Sequence, residues 1–275
     1  MYFHRMEKEN GIMKRLFFLL MLSFGLGECM DNSYPLDGFS EEQKVLVKAI
    51  KVADVDKVRE LAAKTDLDLV SEKSVPLLTA AIYEALGDLK SDKPTKRLQI
   101  ITELVRAGAN VKRGGIFDSP LDIALAQEHP ALLEAMLAGG LEPNYMVDGG
   151  PIIFDVLSNY KLGSVKALIK YGANIDLKTR ATGGLTAAQT AIVVAPKVSY
   201  YLVTMGASIY ESDDFTGKTF AMSVFRIEKS LKEDVDDVKS GRYKGNLEVI
   251  QGDLEAVQKI KAIMIEKGIE WPPKQ

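Results

Sequence analysis

Apolar residues recur at helical spacing along most of the chain. In one such segment Leu132, Leu133, Met136 and Leu137 lie on the same side of a helix. Segments of this kind follow one another from about Glu41 to the C-terminus. The pattern predicts a series of short helices, each of which buries one apolar face.

These helical segments belong to an internal repeat that ends in glycine. Four aligned segments close on glycines that are 32, 32 and 34 residues apart, at Gly108, Gly140, Gly172 and Gly206. Upstream of the helical segments lies a second signature, proline followed by apolar residues, at Pro76, Pro120 and Pro151. Proline in the first turn of a helix loses no hydrogen bond, and glycine just past a helix adopts the left-handed conformation. Each repeat is therefore predicted to contain two helices that begin and end at these marks.

A repeat of about 33 residues with these two signatures resembles the ankyrin-repeat family. The resemblance implies an all-α ankyrin-repeat solenoid of about six stacked helix pairs with short hairpin tips, covering residues 41–275. One helix pair cannot bury its apolar face alone, so the stack is expected to fold as a unit. Insertions are expected near residues 83–95 and 226–252, and the fourth pair departs from the pattern at Asp155, where a small alanine is expected.

The N-terminal region has the pattern of a targeting segment. Lys14 and Arg15 precede a short apolar run, Leu16–Phe24, and the small residues Gly25 and Gly27 follow. This order is typical of a secretory signal peptide, and the run is too short to span a bilayer. We therefore expect residues 1–27 to be a signal peptide and residues 28–40 a linker; the alternative is a buried core segment. Either Met1 or Met13 is the start, and Met13 gives the more typical signal.

Cys29 follows the expected cleavage site by two residues and is a candidate lipidation site. Leu26-Gly27-Glu28-Cys29 resembles a bacterial lipobox at Leu26, but Glu28 stands where a small residue is expected. The alternative is a lone thiol in a flexible segment. We expect export to the periplasm, with membrane attachment only if Cys29 is lipidated.

Composition excludes several function classes. The chain has one Cys, two His and a net charge of −3, and removal of residues 1–27 changes the charge to −5. These counts disfavour a disulfide framework, a zinc site and nucleic-acid binding, and we expect no cofactor and no metal. Thr216-Gly217-Lys218-Thr219 lacks the first glycine of a phosphate loop, so it is interpreted as a turn that leads into a helix. His129 is interpreted as a capping or packing residue, because nothing in the sequence supplies a catalytic partner.

The resemblance implies protein binding through the hairpin tips and the concave face of the inner helices. Side chains of the types that are enriched in interface cores lie at the predicted tips: Arg113, Ile116, Phe117, Tyr145, Met146, Lys178, Arg180, Tyr210 and Phe215. The alternative is that Phe117 and Phe215 fold back onto the array. We predict that these residues contact a partner that presents a basic patch around an apolar centre.

The sequence thus indicates an exported, non-catalytic protein-binding module. Two functions remain open. The first is an inhibitor or immunity-type protein that neutralises a toxin or effector enzyme. The second is an envelope scaffold or adaptor involved in stress protection. An enzyme is a more distant third reading.

Overall fold

Short helices fill most of the chain. The computed structural model describes residues 36–71, 74–90, 95–114 and 118–274. The α-helices of the described residues are α1 (Glu41–Lys51), α2 (Val55–Ala62), α3 (Leu77–Lys90), α4 (Arg97–Arg106), α5 (Pro120–Ala126), α6 (Ala131–Gly139), α7 (Leu162–Lys170), α8 (Ala187–Val194), α9 (Pro196–Thr204), α10 (Phe220–Lys239) and α11 (Leu247–Glu266). Three 3-10 helices span Leu36–Gly38, Ile152–Val156 and Asn159–Lys161, and strands β1 (Met146–Val147) and β2 (Gly150–Pro151) form an antiparallel hairpin.

The helices form an inner and an outer row. Each inner element packs on the outer helix that follows it in the chain, as α1 does on α2 and α10 does on α11. In the inner row α1 contacts α3, α3 contacts α5, the 3-10 helix Ile152–Val156 contacts α8, and α8 contacts α10. In the outer row α2, α4, α6 and α7 follow one another, and α9 contacts α11. The described part of the chain thus contains six stacked pairs, which confirms the predicted fold class.

The repeated sequence marks set the ends of the helices. Ser119, directly before Pro120, accepts a hydrogen bond from Asp122 N at 3.3 Å and caps the start of α5. The cap satisfies a backbone N–H that has no partner within the helix. Gly140 ends α6 with φ of 110°, a conformation that a side chain would penalise. In the third repeat these marks therefore fix where the inner helix begins and where the outer helix ends.

The fourth pair is irregular at the position that the sequence singled out. Its inner element is the 3-10 helix Ile152–Val156, and Asp155 in it is exposed. In α5 the corresponding residue is Ala124, which is buried. An isolated carboxylate is costly to bury, so a regular α-helix here would place Asp155 unfavourably. The tighter 3-10 turn keeps Asp155 in solvent and lets Ile152, Ile153 and Val156 fill the core.

Side chains tether neighbouring tips at a fixed place in the repeat. Four residues after its closing glycine, Asn144 Oδ1 accepts a hydrogen bond from Asn174 N of the next repeat at 2.7 Å. Asp176 Oδ1 accepts from Ser208 N in the same way, at 2.9 Å. The repeat is thereby joined to its neighbour by the backbone as well as by the apolar core.

Two repeats replace this tether by a different contact. Lys112 stands where the two tethered repeats have Asn144 and Asp176, and its ammonium pairs with Asp122 of the next repeat at 2.8 Å. Tyr210 holds the position in the fifth repeat, and its hydroxyl donates to Lys267 O, at the end of the sixth, at 3.3 Å. The position thus links consecutive repeats even where its residue type changes.

Removing a tether should weaken the array measurably. We expect Asn144→Ala and Asp176→Ala each to lower the free energy of unfolding by about 1 kcal/mol, because each leaves a backbone N–H without its acceptor. Urea denaturation tests this, with Asp236→Ala on the exposed side of α10 as the control. Wild-type stability in both tether variants would contradict the assigned role.

The last pair is longer than the others. Helices α10 and α11 each have 20 residues, whereas α8 has 8 and α9 has 9. They therefore extend about 17 Å further than the preceding pair. The segment 226–252, expected to be an insertion, comprises the distal part of α10, the turn and the start of α11. Its charged side chains are largely exposed.

The residues after α11 fold back onto the last pair. The Trp271 ring lies edge-on to the ring of Phe225, with centroids 5.9 Å apart, and Lys261 Nζ lies 5.1 Å from the Trp271 centroid. Ile260 and Met264 are fully buried beneath them. In the described ranges, no helix is both long and apolar enough to cross a membrane.

Candidate functional site

The tip between the third and fourth pairs is a two-residue β-hairpin. Strands β1 and β2 are joined by Asp148 and Gly149, whose φ angles are 50° and 82°. Two successive positive φ values are typical of the turn that matches the twist of a tight hairpin. Met146 is 47% exposed on this hairpin, while Tyr145 at its base is half-buried. The hairpin therefore presents Met146 on a short, regular support.

The tip before α10 presents an aromatic ring. A bridge between Ser212 and Thr219 closes its base, and Asp213 Oδ1 accepts hydrogen bonds from Phe215 N at 2.7 Å and Thr216 N at 3.1 Å. These backbone bonds lower the pKa of Asp213, so the carboxylate that holds the turn stays charged. Phe215 at the apex is 65% exposed and does not fold back onto the array.

The tip before α10 is also clamped by its neighbour through Lys178. The ammonium of Lys178 lies 2.7 Å from Glu211, 2.9 Å from Asp214 and 2.9 Å from Ser212 O. The bond to Glu211 contributes most to raising the pKa of Lys178. Gly184 permits the close approach, because a Cβ there would lie 2.7 Å from Asp214 Cβ. The turn that presents Phe215 is therefore fixed by Asp213 within its own tip and by Lys178 of the neighbouring tip.

The other predicted tip residues occupy different environments. Arg113 and Arg180 are exposed, and Tyr210 is 66% exposed although its hydroxyl contributes to the tether described above. The side chain of Lys178 is only 18% exposed, and its charge is balanced within the chain. Ile116, Phe117 and Cys29 lie outside the described residues, so their predicted roles remain predictions. The structure brings Lys178 and Phe215 into one tip unit and leaves Met146 on another.

Sequence reasoning missed an apolar pair on the inner row. Val193 and Val194 at the end of α8 are 54% and 60% exposed. They lie opposite the side of α8 on which Ala188 packs, where Ser199 Oγ of α9 donates to Ala188 O at 2.8 Å. An alignment of the repeats on their N-caps would have found them, because Val193 then aligns with the exposed Ala126 of α5. A search of the predicted tips for aromatic residues does not detect these two valines.

The described residues hold little that indicates catalysis. No group of three or more metal-binding side chains occurs in the described ranges. Nδ1 of His129 accepts a hydrogen bond from Ala131 N at 3.2 Å, which is the capping role expected of it. Thr219 caps α10 by accepting from Met222 N at 3.3 Å, so Gly217-Lys218-Thr219 is a turn that leads into a helix.

Stacked helix pairs that contact their sequence neighbours define a repeat solenoid. The proline and glycine marks, the two short helices per repeat and the hairpin tips between pairs are those of an ankyrin-repeat fold.

Comparisons with known proteins give partial matches. The chain is similar to NF-kappa-B inhibitor delta of Mus musculus, with 36% identity over 76 residues, which is 27% of this chain and 23% of that protein. An ankyrin repeat domain from Acinetobacter baumannii AYE superposes on 78% of this chain and 95% of its own, with 18% identity and a TM-score of 0.47. The ankyrin repeat domain of Bcl-3 superposes on 72% of this chain and 86% of its own, with 18% identity and a TM-score of 0.48. No protein-family model matches the chain.

Proposed function

We propose that the chain is a non-catalytic protein-binding module that acts outside the cytoplasm and inhibits a toxin or effector enzyme by covering its active face. The binding role rests on the exposure of the Phe215 side chain. It is 65% exposed at the apex of a turn that Asp213 and Lys178 hold from two sides. A large aromatic side chain on a rigid support loses little freedom on binding, which is the property of an interface anchor.

Two further observations support the inhibitory role over a scaffold role. The curated relative that matches 76 residues of this chain is named as an inhibitor. The exposed anchors Met146 and Phe215 also lie on tips of different repeats, so a partner that contacts both would have a broad face covered. Excluding substrate from such a face needs no chemistry from the inhibitor.

The location outside the cytoplasm rests on the sequence pattern of residues 14–27. We expect Leu19→Arg together with Leu20→Arg to block export, because charges interrupt the apolar run that a signal peptide needs. The unprocessed chain should then accumulate in the cytoplasm, whereas the unaltered chain should begin near Glu28 or Cys29. Fractionation with N-terminal sequencing tests both forms. An intact N-terminus on the unaltered chain in the cytoplasm would contradict export.

The binding role is tested by capture and titration. The mature chain is used to capture proteins from an envelope extract, and the captured partner is then titrated by calorimetry. We expect Phe215→Ala to weaken binding by at least about 1 kcal/mol, because it removes an anchor ring. Tyr243→Ala is the matched control, since Tyr243 is also exposed but lies in the turn between α10 and α11, at the far end of α10.

The same partner decides between inhibitor and scaffold. An inhibitor should abolish the activity of a captured enzyme at equimolar concentration, and Phe215→Ala should shift the inhibition curve by the same factor as the binding curve. A partner that binds with unchanged activity would favour the scaffold. Equal binding by the parent, Phe215→Ala and Met146→Ala would contradict the tips as the binding surface.

A further inference from the structure

The first helix pair exposes a valine at a position that other pairs bury. Val45 stands five residues after the N-cap of α1 and is 47% exposed. At the same distance from the N-caps of α5, α8 and α10 stand Ala124, Ala191 and Val224, and each is at most 1% exposed. Because this position is buried in the last pair and exposed in the first pair that the structure describes, it faces the preceding pair. Helix α1 therefore leaves open a surface on which, elsewhere in this chain, a neighbouring inner helix stacks.

Val45 belongs to an exposed stripe along α1. Glu41, Val45, Lys48 and Val52 follow one another at helical spacing, which places them on one side of the helix, and all four are exposed. We name these four residues the end stripe. Val52, at the C-cap of α1, is 76% exposed. The terminal unit of a solenoid needs a polar outer face to stay soluble, so the two valines of the end stripe indicate a surface that is covered.

The opposite end of the stack has a different character. On α10 the side away from Val224 carries Arg226, Lys229 and Glu233, which lie about 140° to 200° around the helix from Val224. All three are exposed. A head-to-tail contact between two copies would press the valines of the end stripe onto these charges and remove water from them, which is costly. The end stripe therefore does not fit the last pair of another copy.

The end stripe is complementary to itself. Glu41 lies about 6 Å before Val45 along the helix axis, and Lys48 lies about 4.5 Å after it. If two copies of α1 pack antiparallel with a two-fold axis at Val45, Glu41 of each copy comes beside Lys48 of the other. Glu41 is 85% exposed and pairs with Lys44 of its own helix at 2.7 Å. An exposed pair of this kind contributes little, so the Glu41 carboxylate is able to turn toward a second copy.

We propose that two copies of this chain associate through their end stripes, with Val45 against Val45 at a two-fold axis and a Glu41–Lys48 pair on either side of it. A two-fold contact uses the same surface on both copies, so it closes into a dimer and forms no filament. The contact involves one helix pair of each copy, so we expect a transient dimer. The tips that carry Met146 and Phe215 belong to other pairs, so this proposal goes beyond the proposed function and is independent of it.

Sedimentation velocity measures the association directly. The chain is purified in the form that accumulates in the cell and is measured from about 1 to 200 μM, a range that covers a micromolar dissociation constant. We expect the parent to shift from monomer to dimer across this range. Val45→Asp should weaken the dimer at least about tenfold, because it buries a carboxylate at the two-fold axis. Val249→Asp, at a valine of α11 that is 45% exposed, is the matched control and should associate as the parent does.

Mixing two charge variants gives the most specific readout. Glu41→Lys alone and Lys48→Glu alone should each weaken the dimer by about tenfold, because each places like charges together on both sides of the axis. An equimolar mixture of the two should associate as the parent does, since every pair in the mixed dimer again joins opposite charges. Rescue by mixing also shows that neither variant is misfolded, and circular dichroism verifies this for Val45→Asp.

Three results would overturn the proposal. The first is a parent chain that stays monomeric over the whole concentration range. The second is a dimer that Val45→Asp leaves unchanged. The third is a mixture of Glu41→Lys and Lys48→Glu that associates no better than either variant alone. Titration of the captured partner with Phe215→Ala is decided separately, so the proposed function stands or fails on its own measurement.

Discussion

Replacing Leu137 by alanine is expected to lower the free energy of unfolding by about 2–5 kcal/mol. Leu137 lies on α6 and is 4% exposed. Helix α6 packs on both α4 and α7, so the lost side chain leaves a cavity that rigid helices close only partly. Because the repeats fold as one stack, the substitution should shift the unfolding transition of the whole array and not of one repeat alone.

Chemical denaturation followed by circular dichroism measures this loss. Leu69→Ala is the matched control, because Leu69 is 50% exposed and its truncation leaves no enclosed cavity. We expect the control to change stability by less than about 0.5 kcal/mol. Equal losses in the two variants would mean that α6 does not bury Leu137 between its neighbours as described.

Replacing Glu228 by glutamine is expected to lower the free energy of unfolding by about 1–3 kcal/mol, the range for buried hydrogen bonds to charged groups. Glu228 is 4% exposed on α10, and its carboxylate lies 2.7 Å from Lys232 Nζ and 3.1 Å from Lys261 Nζ of α11. Glutamine keeps the shape but leaves two ammonium groups without their counter-charge. The contact also joins the two long helices, so its loss should loosen the last pair.

The loss should depend on pH in a defined direction. Burial alone would raise the pKa of Glu228, but the hydrogen bonds from Lys232 and Lys261 outweigh it and hold the pKa below its ordinary value of 4.5. A lowered folded-state pKa means that the stabilisation is complete above the unfolded pKa and is lost as the pH falls through the folded pKa. The stability difference between the parent and Glu228→Gln should therefore be constant at neutral pH and shrink below about pH 4.5.

Urea titrations at several pH values test this pair of expectations. Glu233→Gln is the matched control, since Glu233 is exposed on the same helix. It should match the parent in stability and in pH dependence. A difference between the parent and Glu228→Gln that stays constant down to pH 3 would contradict the buried ion-pair network.

The repeat architecture could be predicted because its determinants are local. Pro120 and Gly140 act through the backbone conformations that their own residue types favour, and such marks are visible at a fixed period. The irregular fourth pair was also visible, because Asp155 breaks the apolar pattern at a position that must be buried. In the structure a 3-10 helix stands at this position, and Asp155 in it is exposed.

The details of the candidate site could be predicted less well because they depend on distant contacts. Lys178 has the sequence properties of an exposed cation, yet its ammonium forms ion pairs with Glu211 and Asp214, which are more than 30 residues away. Tyr210 has a tethering role that appears only when the end of the last repeat is placed beside it. Val193 and Val194 resemble core residues in composition, but they are 54% and 60% exposed at the end of α8.

Amide hydrogen exchange of the chain with and without its captured partner tests the central claim most directly. We expect added protection at the tips around Met146 and Phe215 and on the inner helix α8, with the outer helices α4, α6 and α7 unchanged. Protection confined to those outer helices, or to the turn between α10 and α11, would contradict binding through the tips and the inner row.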